Sequence, residues 1–201
     1  EVLSRIFANW YDFFMNPLEK KKFKRIRKEL LSKATGNVLE LGSGTGINFP
    51  FYQKAEKVTA IEPSHYMIER SFSKLKESVV PIEVVQASAE KLPFAENTFD
   101  TVVATLVFCT IPDPEKAILE MKRVCKFEGK ILLFEHVRMQ NRLLSTLQDW
   151  LTPAWKKICD GCCLNRNTLD LLMAHDISII KVQKYYRDLF VFAEAKNNKK
   201  A

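Results

Sequence analysis

The stretch Val38-Leu39-Glu40-Leu41-Gly42-Ser43-Gly44-Thr45-Gly46 (VLELGSGTG) passes from apolar residues into glycines at every second position. The apolar part predicts a short buried strand at Val38–Leu41, and the glycines predict a turn whose backbone a bound molecule can approach closely. The spacing is G-x-G-x-G and not the G-x-G-x-x-G of dinucleotide-binding proteins, which disfavours a diphosphate ligand. Because any tight turn at a strand end also favours glycine, a purely structural role stays open at this point.

The chain after this stretch alternates between strand and helix patterns. Further strands are predicted at 57–61, 81–86, 99–105, 130–135, 177–183 and 189–195, and helices at 46–53, 64–78, 113–126 and 166–174. Strands that alternate with helices are typical of an α/β fold with a doubly wound parallel sheet, here of about seven strands. No internal repeat or linker interrupts the pattern, so residues 1–201 are predicted to form one domain with residues 34–201 as its core.

The composition fits a globular protein with its own core, since 47% of the 201 residues are hydrophobic and 27% are charged. No apolar run approaches the roughly 18 residues of a spanning helix. A secretory signal is not recognisable, although a segment preceding Glu1 stays open. The five cysteines are odd in number and form no disulfide framework, which predicts free thiols and a cytoplasmic location.

The first 33 residues predict an amphipathic helix followed by a basic one, together acting as a lid. Apolar residues recur at helical spacing between 2 and 14, and Glu19–Lys28 (EKKKFKRIRK) is strongly basic. A basic helix is usually a solvated face, but it could also meet nucleic acid or an anionic membrane. Peripheral membrane contact through residues 1–28 therefore stays open alongside the lid.

A carboxylate ends the second predicted strand. Glu62 follows the glycine turn by about twenty residues, where an acid can accept hydrogen bonds from both hydroxyls of a ribose. The helix-capping role at this point falls to Ser64. The pair of features therefore indicates nucleoside binding.

With these elements the chain resembles the class I S-adenosylmethionine-dependent methyltransferases over nearly its whole length. The resemblance implies a Rossmann-like doubly wound seven-stranded sheet with helices on both faces and the last strand antiparallel, and S-adenosylmethionine as cofactor. It implies that the glycine turn passes the methionine part, that Glu40 organises its amino-acid end and that Glu62 holds the ribose. The full set of cofactor-binding residues that it implies is Glu40, Gly42, Ser43, Gly44, Gly46, Asn48, Glu62, Pro63, Ser88, Ala89, Thr105 and Leu106.

Two positions depart from the family pattern. Ser88 stands where an acid usually accepts from the adenine amino group, which predicts looser adenine binding, with a hydroxyl acceptor at Ser88 and a backbone donor at Ala89. The turn Phe127-Glu128-Gly129 replaces a common Pro-Gly-Gly and concerns turn shape only.

The segments 88–94 and 97–100 look like the ubiquinone/menaquinone-biosynthesis methyltransferases. The later motifs Glu135-His136-Val137, 151–155, 160–162 and 164–166 resemble methyltransferase-like proteins that methylate alkyl thiols at membranes and, more distantly, phospholipid N-methyltransferases. The resemblance implies a small, apolar acceptor, either a thiol, a quinone precursor or a lipid amine in that order. It places the acceptor site after strands four and five, with substrate-binding residues Tyr11, Trp155, Asp160 and Cys162.

The expected chemistry is a direct displacement, in which the enzyme aligns an acceptor lone pair with an electrophilic methyl group and excludes water. A hydroxyl or ring carbon usually wants a proton acceptor, whereas a thiol needs only to be a thiolate. His136 is the candidate proton acceptor, with Glu135 beside it, although a single His at a strand end is often a structural hydrogen bonder.

Other classes of function have weaker signals. Cys159–Cys163 contains C-x-x-C, but a structural zinc site needs four ligands, and Cys109, Cys125 and the histidines are distant in sequence, so no metal is expected. Base-methylating enzymes carry an Asn/Asp-Pro-Pro-aromatic motif where this chain has 105–108 (TLVF), so no nucleic-acid partner is expected. The alternative to a small-molecule transferase is a basic scaffold that binds cofactor or nucleic acid without transfer.

Overall fold

The structure is a computed structural model that describes residues 22–159 and 161–199. Its centre is a seven-stranded sheet in the order β3-β2-β1-β4-β5-β7-β6. The strands are β1 Gly36–Leu41, β2 Ala55–Ile61, β3 Ile82–Val85, β4 Phe99–Thr105, β5 Cys125–His136, β6 Ile177–Tyr185 and β7 Phe190–Asn197. The helices are α1 Lys24–Leu31, α2 His65–Leu75, α3 Pro114–Val124, α4 Arg142–Ile158 and α5 Thr168–Ala174, and a 3₁₀ turn spans Phe49–Phe51.

Strands β1 to β5 pair parallel with one another, and β7 pairs antiparallel with both β5 and β6. The predicted fold class is therefore confirmed, including the antiparallel last strand. Leu41 pairs with both Ile61 and Ala104, and Thr105 pairs with Phe134, so the carboxyl ends of β1, β2, β4 and β5 share one edge. In open sheets of this kind, ligands bind along that edge.

Two apolar layers cover the two faces of the sheet. Leu39 and Leu41 of β1 belong to the layer that contains residues of α3 and α5, whereas Val38 belongs to the layer that contains residues of α1. Successive side chains of a strand point to opposite faces, so one strand contributes side chains to both layers. This is why the strands read as continuous apolar runs, as expected when helices cover both faces.

Side-chain caps set the helix starts near their predicted positions. The Ser64 hydroxyl accepts a hydrogen bond from the Met67 N–H at 3.4 Å, which confirms the predicted cap of α2. At α3, the Asp113 carboxylate accepts from the Lys116 N–H at 3.1 Å and is followed by Pro114. A proline at this position lacks only an N–H that the first turn would leave unpaired anyway.

Two elements differ from the sequence-based expectation. The segment 46–53, predicted to start a helix, forms turns and the short 3₁₀ turn, and Pro50 within it has no N–H to donate to a helical ladder. Helix α4 was not predicted, because it contains Pro153, which usually marks a helix end. In α4 the Thr152 hydroxyl donates to the Gln148 carbonyl at 2.6 Å beside the proline.

Helix α1 is part of the core and not only a charged surface. Phe23, Leu30 and Leu31 are fully buried against the sheet, and the Phe23 ring makes an edge contact with Phe134 at 5.1 Å between centroids. The preceding residues 1–21 lie outside the described residues, and the lid assigned to residues 1–33 stays a prediction. Within the described ranges, no helix has the length and apolarity needed to cross a bilayer.

Candidate active site

The glycine turn after β1 is joined to the end of β2 by the Glu62 carboxylate. Its Oε2 accepts a hydrogen bond from the Gly44 N–H at 3.0 Å, and its Oε1 accepts one from the Ser64 N–H at 3.0 Å. Glu62 is buried. These two bonds fix the orientation of the Glu62 carboxylate at the end of β2.

The turn offers space to a ligand where its middle glycine lies. A Cβ built on Gly44 would meet no atom within 4 Å, whereas a Cβ on Gly42 would lie 2.2 Å from the Val107 Cγ2. Gly42 is therefore needed for packing within the protein, and Gly44 leaves open space. Beside it, the buried Ser43 hydroxyl has no hydrogen-bond partner in the described part of the chain. Open space and an unpaired hydroxyl next to an oriented carboxylate fit the methionine and ribose parts of S-adenosylmethionine.

Glu40 lies under the turn in a buried hydrogen-bond network. Its Oε1 accepts from the Asn48 Nδ2 at 2.7 Å and its Oε2 accepts from the Tyr52 hydroxyl at 2.9 Å. Burial raises the pKa of Glu40 from 4.5 to about 7, and the bonds from Asn48 and Tyr52 and the nearby charge of Arg27 act in the opposite direction. A cationic amino group bound beside Glu40 would favour its ionised form.

Arg27 connects helix α1 to this network. Its Nη1 donates to the Asn48 Oδ1 and to the Thr105 hydroxyl, both at 2.9 Å, and only 3% of the residue is exposed. Thr105, predicted to line the cofactor, also accepts from the Asn48 Nδ2 at 2.8 Å. Arg27 was not predicted, because the basic run that contains it is typical of a solvated helix face. The signal for it was the apolar spacing of Phe23, Ile26 and Leu30, which places position 27 on the buried side.

The remaining residues predicted for the cofactor lie along the same edge. The Ser88 hydroxyl accepts from the Glu90 N–H at 3.2 Å and donates to the Glu90 carboxylate at 3.1 Å, which leaves one acceptor site for an adenine amino group. Ala89 is buried, and Pro63 is exposed with its carbonyl bonded to the Gln86 Nε2. Leu106 has a φ of 55°, an unusual conformation for a residue with a side chain, at the turn that follows β4.

Glu135 and His136 end β5, but they are not hydrogen-bonded to each other. The Glu135 Oε1 accepts from the backbone N–H groups of Val107 at 2.9 Å and Phe108 at 3.1 Å, so Glu135 shapes the turn after β4. Burial raises the pKa of Glu135 to about 8. Burial, and then the charge of Arg166, lower the pKa of His136 to about 4. His136 is therefore a neutral imidazole near pH 7, and its use as a proton acceptor stays a prediction.

The fold brings together cysteines that are distant in sequence. The ligand atoms of Cys109, His136 and Cys162 all lie within 4.8 Å of one another. A hydrogen bond from Cys109 lowers the pKa of Cys162, and one from Trp155 acts in the same direction, which places Trp155 beside Cys162. The expectation that no metal would bind depended on Cys109 being distant, and the sequence has no local signal for this approach.

Of the four residues predicted to bind substrate, Trp155 and Cys162 thus lie together after β4 and β5. Trp155 is 42% exposed and Cys162 is half-buried. Tyr11 and Asp160 lie outside the described residues.

Known proteins share both the sequence and the fold of this chain. A family profile described as a methyltransferase domain matches residues 39–133. The chain is 35% identical to phosphatidylethanolamine N-methyltransferase of Cereibacter sphaeroides over 140 residues, covering 68% of each chain. It is 31% identical to human thiol S-methyltransferase TMT1B over 182 residues, covering 85% of this chain and 75% of that protein.

A solved structure shares the fold at low identity. The N-methyltransferase NodS from Bradyrhizobium japonicum, in complex with S-adenosylhomocysteine, superposes with a TM-score of 0.72 at 19% identity and covers 98% of this chain and 97% of its own. The similarity in sequence, the fold and the oriented carboxylates beside an open glycine turn all indicate the same family. The chain belongs to the S-adenosylmethionine-dependent methyltransferases.

Proposed function

We propose that this methyltransferase transfers its methyl group to a small apolar thiol, in preference to a quinone precursor or a lipid amine. The observation that carries the proposal is the buried wall after β4 and β5, where the Cys109 thiol lies within 4.8 Å of the neutral imidazole of His136, and where Phe108 and Val137, their neighbours in the chain, are buried as well. A buried wall of this kind suits an apolar acceptor whose nucleophilic atom loses its proton when the methyl group is transferred. The similarity to thiol S-methyltransferase TMT1B over 85% of the chain supports the same choice.

When bound, S-adenosylmethionine supplies an electrophilic methyl carbon on a sulfonium. The residues of this chain bind and orient. Glu62, fixed by the N–H groups of Gly44 and Ser64, would accept from the ribose hydroxyls. Glu40, fixed by Asn48 and Tyr52, would face the amino-acid end. Effective alignment of two reactants can supply several kcal/mol of the barrier reduction, so these contacts matter although they do not touch the acceptor.

Around the acceptor, the residues of this chain are proposed to exclude water and to accept the proton that the acceptor loses, or to let it pass to solvent. The His136 Nε2 has no hydrogen-bond partner in the described residues, so its imidazole is available at that atom. A thiol acceptor reacts as the thiolate, part of which forms near neutral pH without help. His136 would then matter more for a quinone precursor than for a thiol.

A transfer assay with methyl-labelled S-adenosylmethionine tests the acceptor. Three acceptors are compared under the same conditions: an alkyl monothiol, a hydrophobic hydroquinone and vesicles of phosphatidylethanolamine. The proposal predicts that label enters the thiol fastest, as a thioether. Labelling of the lipid amine or the hydroquinone with none of the thiol would overturn it. The Gly44→Ala variant serves as the control for transfer that depends on the glycine turn.

We also propose a cytoplasmic protein that contacts membranes peripherally. Helix α4 carries a row of large apolar side chains that are mostly in solvent, including Leu143 at 82%, Trp150 at 76% and Ile158 at 70% exposure. Exposed aromatic and aliphatic residues on one helix face suit the interface of a bilayer. Basic residues of α1, such as Lys24 and Lys28, are also exposed and would favour anionic lipid.

Vesicle co-sedimentation checks the membrane proposal. The protein should pellet with vesicles that contain anionic lipid, less so with neutral vesicles or in high salt, and Trp150→Glu should reduce the pelleted fraction. Equal recovery in the supernatant with and without anionic vesicles at low salt would contradict peripheral contact.

A further inference from the structure

Three side chains that bind soft metals meet beside the carboxyl ends of β4 and β5. Cys109 lies in the turn after β4, His136 ends β5, and Cys162 follows α4, yet their ligand atoms are all within 4.8 Å of one another. Cys109 and His136 are buried, with exposures of 5% and 8%, and Cys162 is half-buried. The cluster is therefore shielded on the protein side and accessible from the side of Cys162.

Hydrogen bonds between the two loops hold the cysteines in place. The Cys163 N–H donates to the Cys109 carbonyl at 2.8 Å, which fixes the residue next to Cys162 against the turn after β4. The Arg166 guanidinium donates to the Ile111 carbonyl at 2.6 Å and to the Phe108 carbonyl. His136 is held by the pairing of β5 with β7, where it lies opposite Phe190. The three ligands thus belong to a scaffold that is already formed.

One residue of the cluster has a buried nitrogen without a hydrogen-bond partner among the described residues. The Nε2 of His136 is buried and has no hydrogen-bond partner in the described ranges. The Cys109 thiol makes a long contact of 3.7 Å to the carbonyl of Leu106 and also interacts with the Cys162 thiol. A buried imidazole nitrogen without a partner is unfavourable, because it gives up its bonds to water, and it therefore calls for an explanation. A metal ion bound by His136 through Nε2 would use this lone pair.

Two thiolates and one imidazole nitrogen match the preferences of zinc, which binds Cys at about 2.3 Å and His at about 2.0–2.1 Å. Tetrahedral ligands at these distances are roughly 3.5–3.8 Å apart, so closing the present cluster needs shifts of about 1 Å or less. Three protein ligands leave one coordination position open, the pattern of catalytic zinc sites. We propose that Cys109, His136 and Cys162 bind Zn²⁺, with the fourth position open to the thiol acceptor.

The role of this zinc rests on the proposed thiol S-methyltransferase function. A thiol that coordinates the open position loses its proton to solvent and stays bound as a thiolate. Its lone pair forms the new sulfur–carbon bond, while the carbon–sulfonium bond of the cofactor breaks and leaves its electron pair on the cofactor sulfur. The products are a thioether and S-adenosylhomocysteine, and no oxidant or reductant is needed. His136 is then a ligand and not the proton acceptor.

Metal binding is tested directly on the full chain. Protein purified without chelator is analysed for zinc content, and zinc affinity is measured by competition with a chromophoric chelator. The wild type should bind about one zinc per chain. Cys109→Ser, His136→Ala and Cys162→Ser should each weaken zinc binding by more than about 100-fold, since even outer-shell changes at zinc sites cost 10–100-fold. Cys163→Ser is the matched control, because Cys163 is an adjacent half-buried cysteine outside the cluster, and it should keep wild-type affinity.

Cobalt substitution reads out the ligands and the open position. Co²⁺ bound to the wild type should show thiolate charge-transfer bands that Cys162→Ser diminishes, and adding ethanethiol should shift the ligand-field bands. The site is overturned if folded wild-type protein binds neither zinc nor cobalt. It is also overturned if the Cys162→Ser variant binds zinc as tightly as the wild type. Bands that ethanethiol leaves unchanged overturn its role for the acceptor. Calorimetric binding of S-adenosylhomocysteine, run on the same samples, shows separately whether the cofactor site is intact.

Discussion

The backbone N–H of Gly44 donates a hydrogen bond of 3.0 Å to the Oε2 of Glu62, which joins the turn after β1 to the end of β2. The second carboxylate oxygen accepts from the Ser64 N–H at 3.0 Å. One side chain therefore fixes the glycine turn, the start of α2 and its own orientation. We therefore expect cofactor binding to depend on Glu62 both for contact and for the shape of the turn.

Replacing Glu62 by Ala should weaken binding of S-adenosylhomocysteine by roughly 1–3 kcal/mol, or about 5- to 150-fold, because charge-assisted hydrogen bonds are lost. Isothermal titration calorimetry measures the change. Glu83→Ala is the control, since Glu83 is an exposed acid on the neighbouring strand, paired with Lys57 at 2.6 Å. Unchanged affinity in Glu62→Ala, or an equal loss in both variants, would remove the ribose assignment.

Alanine substitutions at two glycines of the same turn should have different effects, one on cofactor binding and the other on stability. At Gly44 the added Cβ meets no protein atom, so Gly44→Ala should cost only about 1–2 kcal/mol of stability for its φ of 54°, but should strongly weaken cofactor binding. At Gly42 the Cβ would lie 2.2 Å from Val107, so Gly42→Ala should lower the free energy of unfolding by roughly 2–5 kcal/mol. Urea unfolding and calorimetry on both variants check this contrast. A Gly44→Ala protein with wild-type affinity would show that no ligand approaches there.

Cofactor affinity should depend on pH through Glu40. The pKa of this buried carboxyl in the free protein is about 7, and a cationic amino group bound beside it favours the carboxylate. Binding therefore releases a proton below pH 7. Affinity for S-adenosylhomocysteine should rise as the pH increases from about 5.5 to 7, by at most about tenfold per pH unit, and level off above 7.

The Glu40→Gln variant is the control for this pH profile, and its affinity should vary little over the same range. The same raised pKa gives the opposite trend in stability. The contribution of Glu40 to the free energy of unfolding is fully present below about pH 4.5 and is lost as the pH rises through 7. A pH profile of binding that is unchanged by Glu40→Gln would assign the titration to another group.

Arg27 should behave as a buried positioning residue and Arg25, on the same helix, as a surface residue. Arg27→Met removes the bonds to Asn48 and Thr105 and should lower the free energy of unfolding by about 1.5–3 kcal/mol. Arg25→Met should change it by less than about 0.5 kcal/mol, because Arg25 is exposed. Urea denaturation of the two variants distinguishes them. If both lose the same stability, Arg27 acts only as part of the general charge of α1.

The succession of strands and helices along the chain could be predicted because the relevant signals are local. Each buried strand is a short apolar run, and the caps Ser64 and Asp113 mark the helices that follow. Helix α4 was missed, and Pro153 within it is a local signal for a helix end, although the helix continues to Ile158. The helix predicted at 46–53 was wrong, because glycine and proline in this segment favour turns and Pro50 cannot donate a helical hydrogen bond.

Site residues could be predicted only where they belong to a local sequence motif. Glu40 lies near the end of β1, and the glycine turn and Glu62 directly follow β1 and β2, so their common edge follows from the parallel sheet. Arg27 was hidden in a basic run, and Tyr52 reaches Glu40 from an unremarkable apolar segment. The approach of Cys109 to Cys162 depends on a contact between two distant loops, which no spacing in the chain reveals.

The most direct test of the account is a calorimetric titration of the purified chain with S-adenosylhomocysteine, with NADH as a matched nucleotide control. We expect saturable binding of S-adenosylhomocysteine to about one site per chain, lost in Gly44→Ala, and no binding of NADH. Folded protein that binds neither ligand, or that binds NADH instead, would show that the oriented carboxylates and the open glycine turn hold no methyl-donor cofactor.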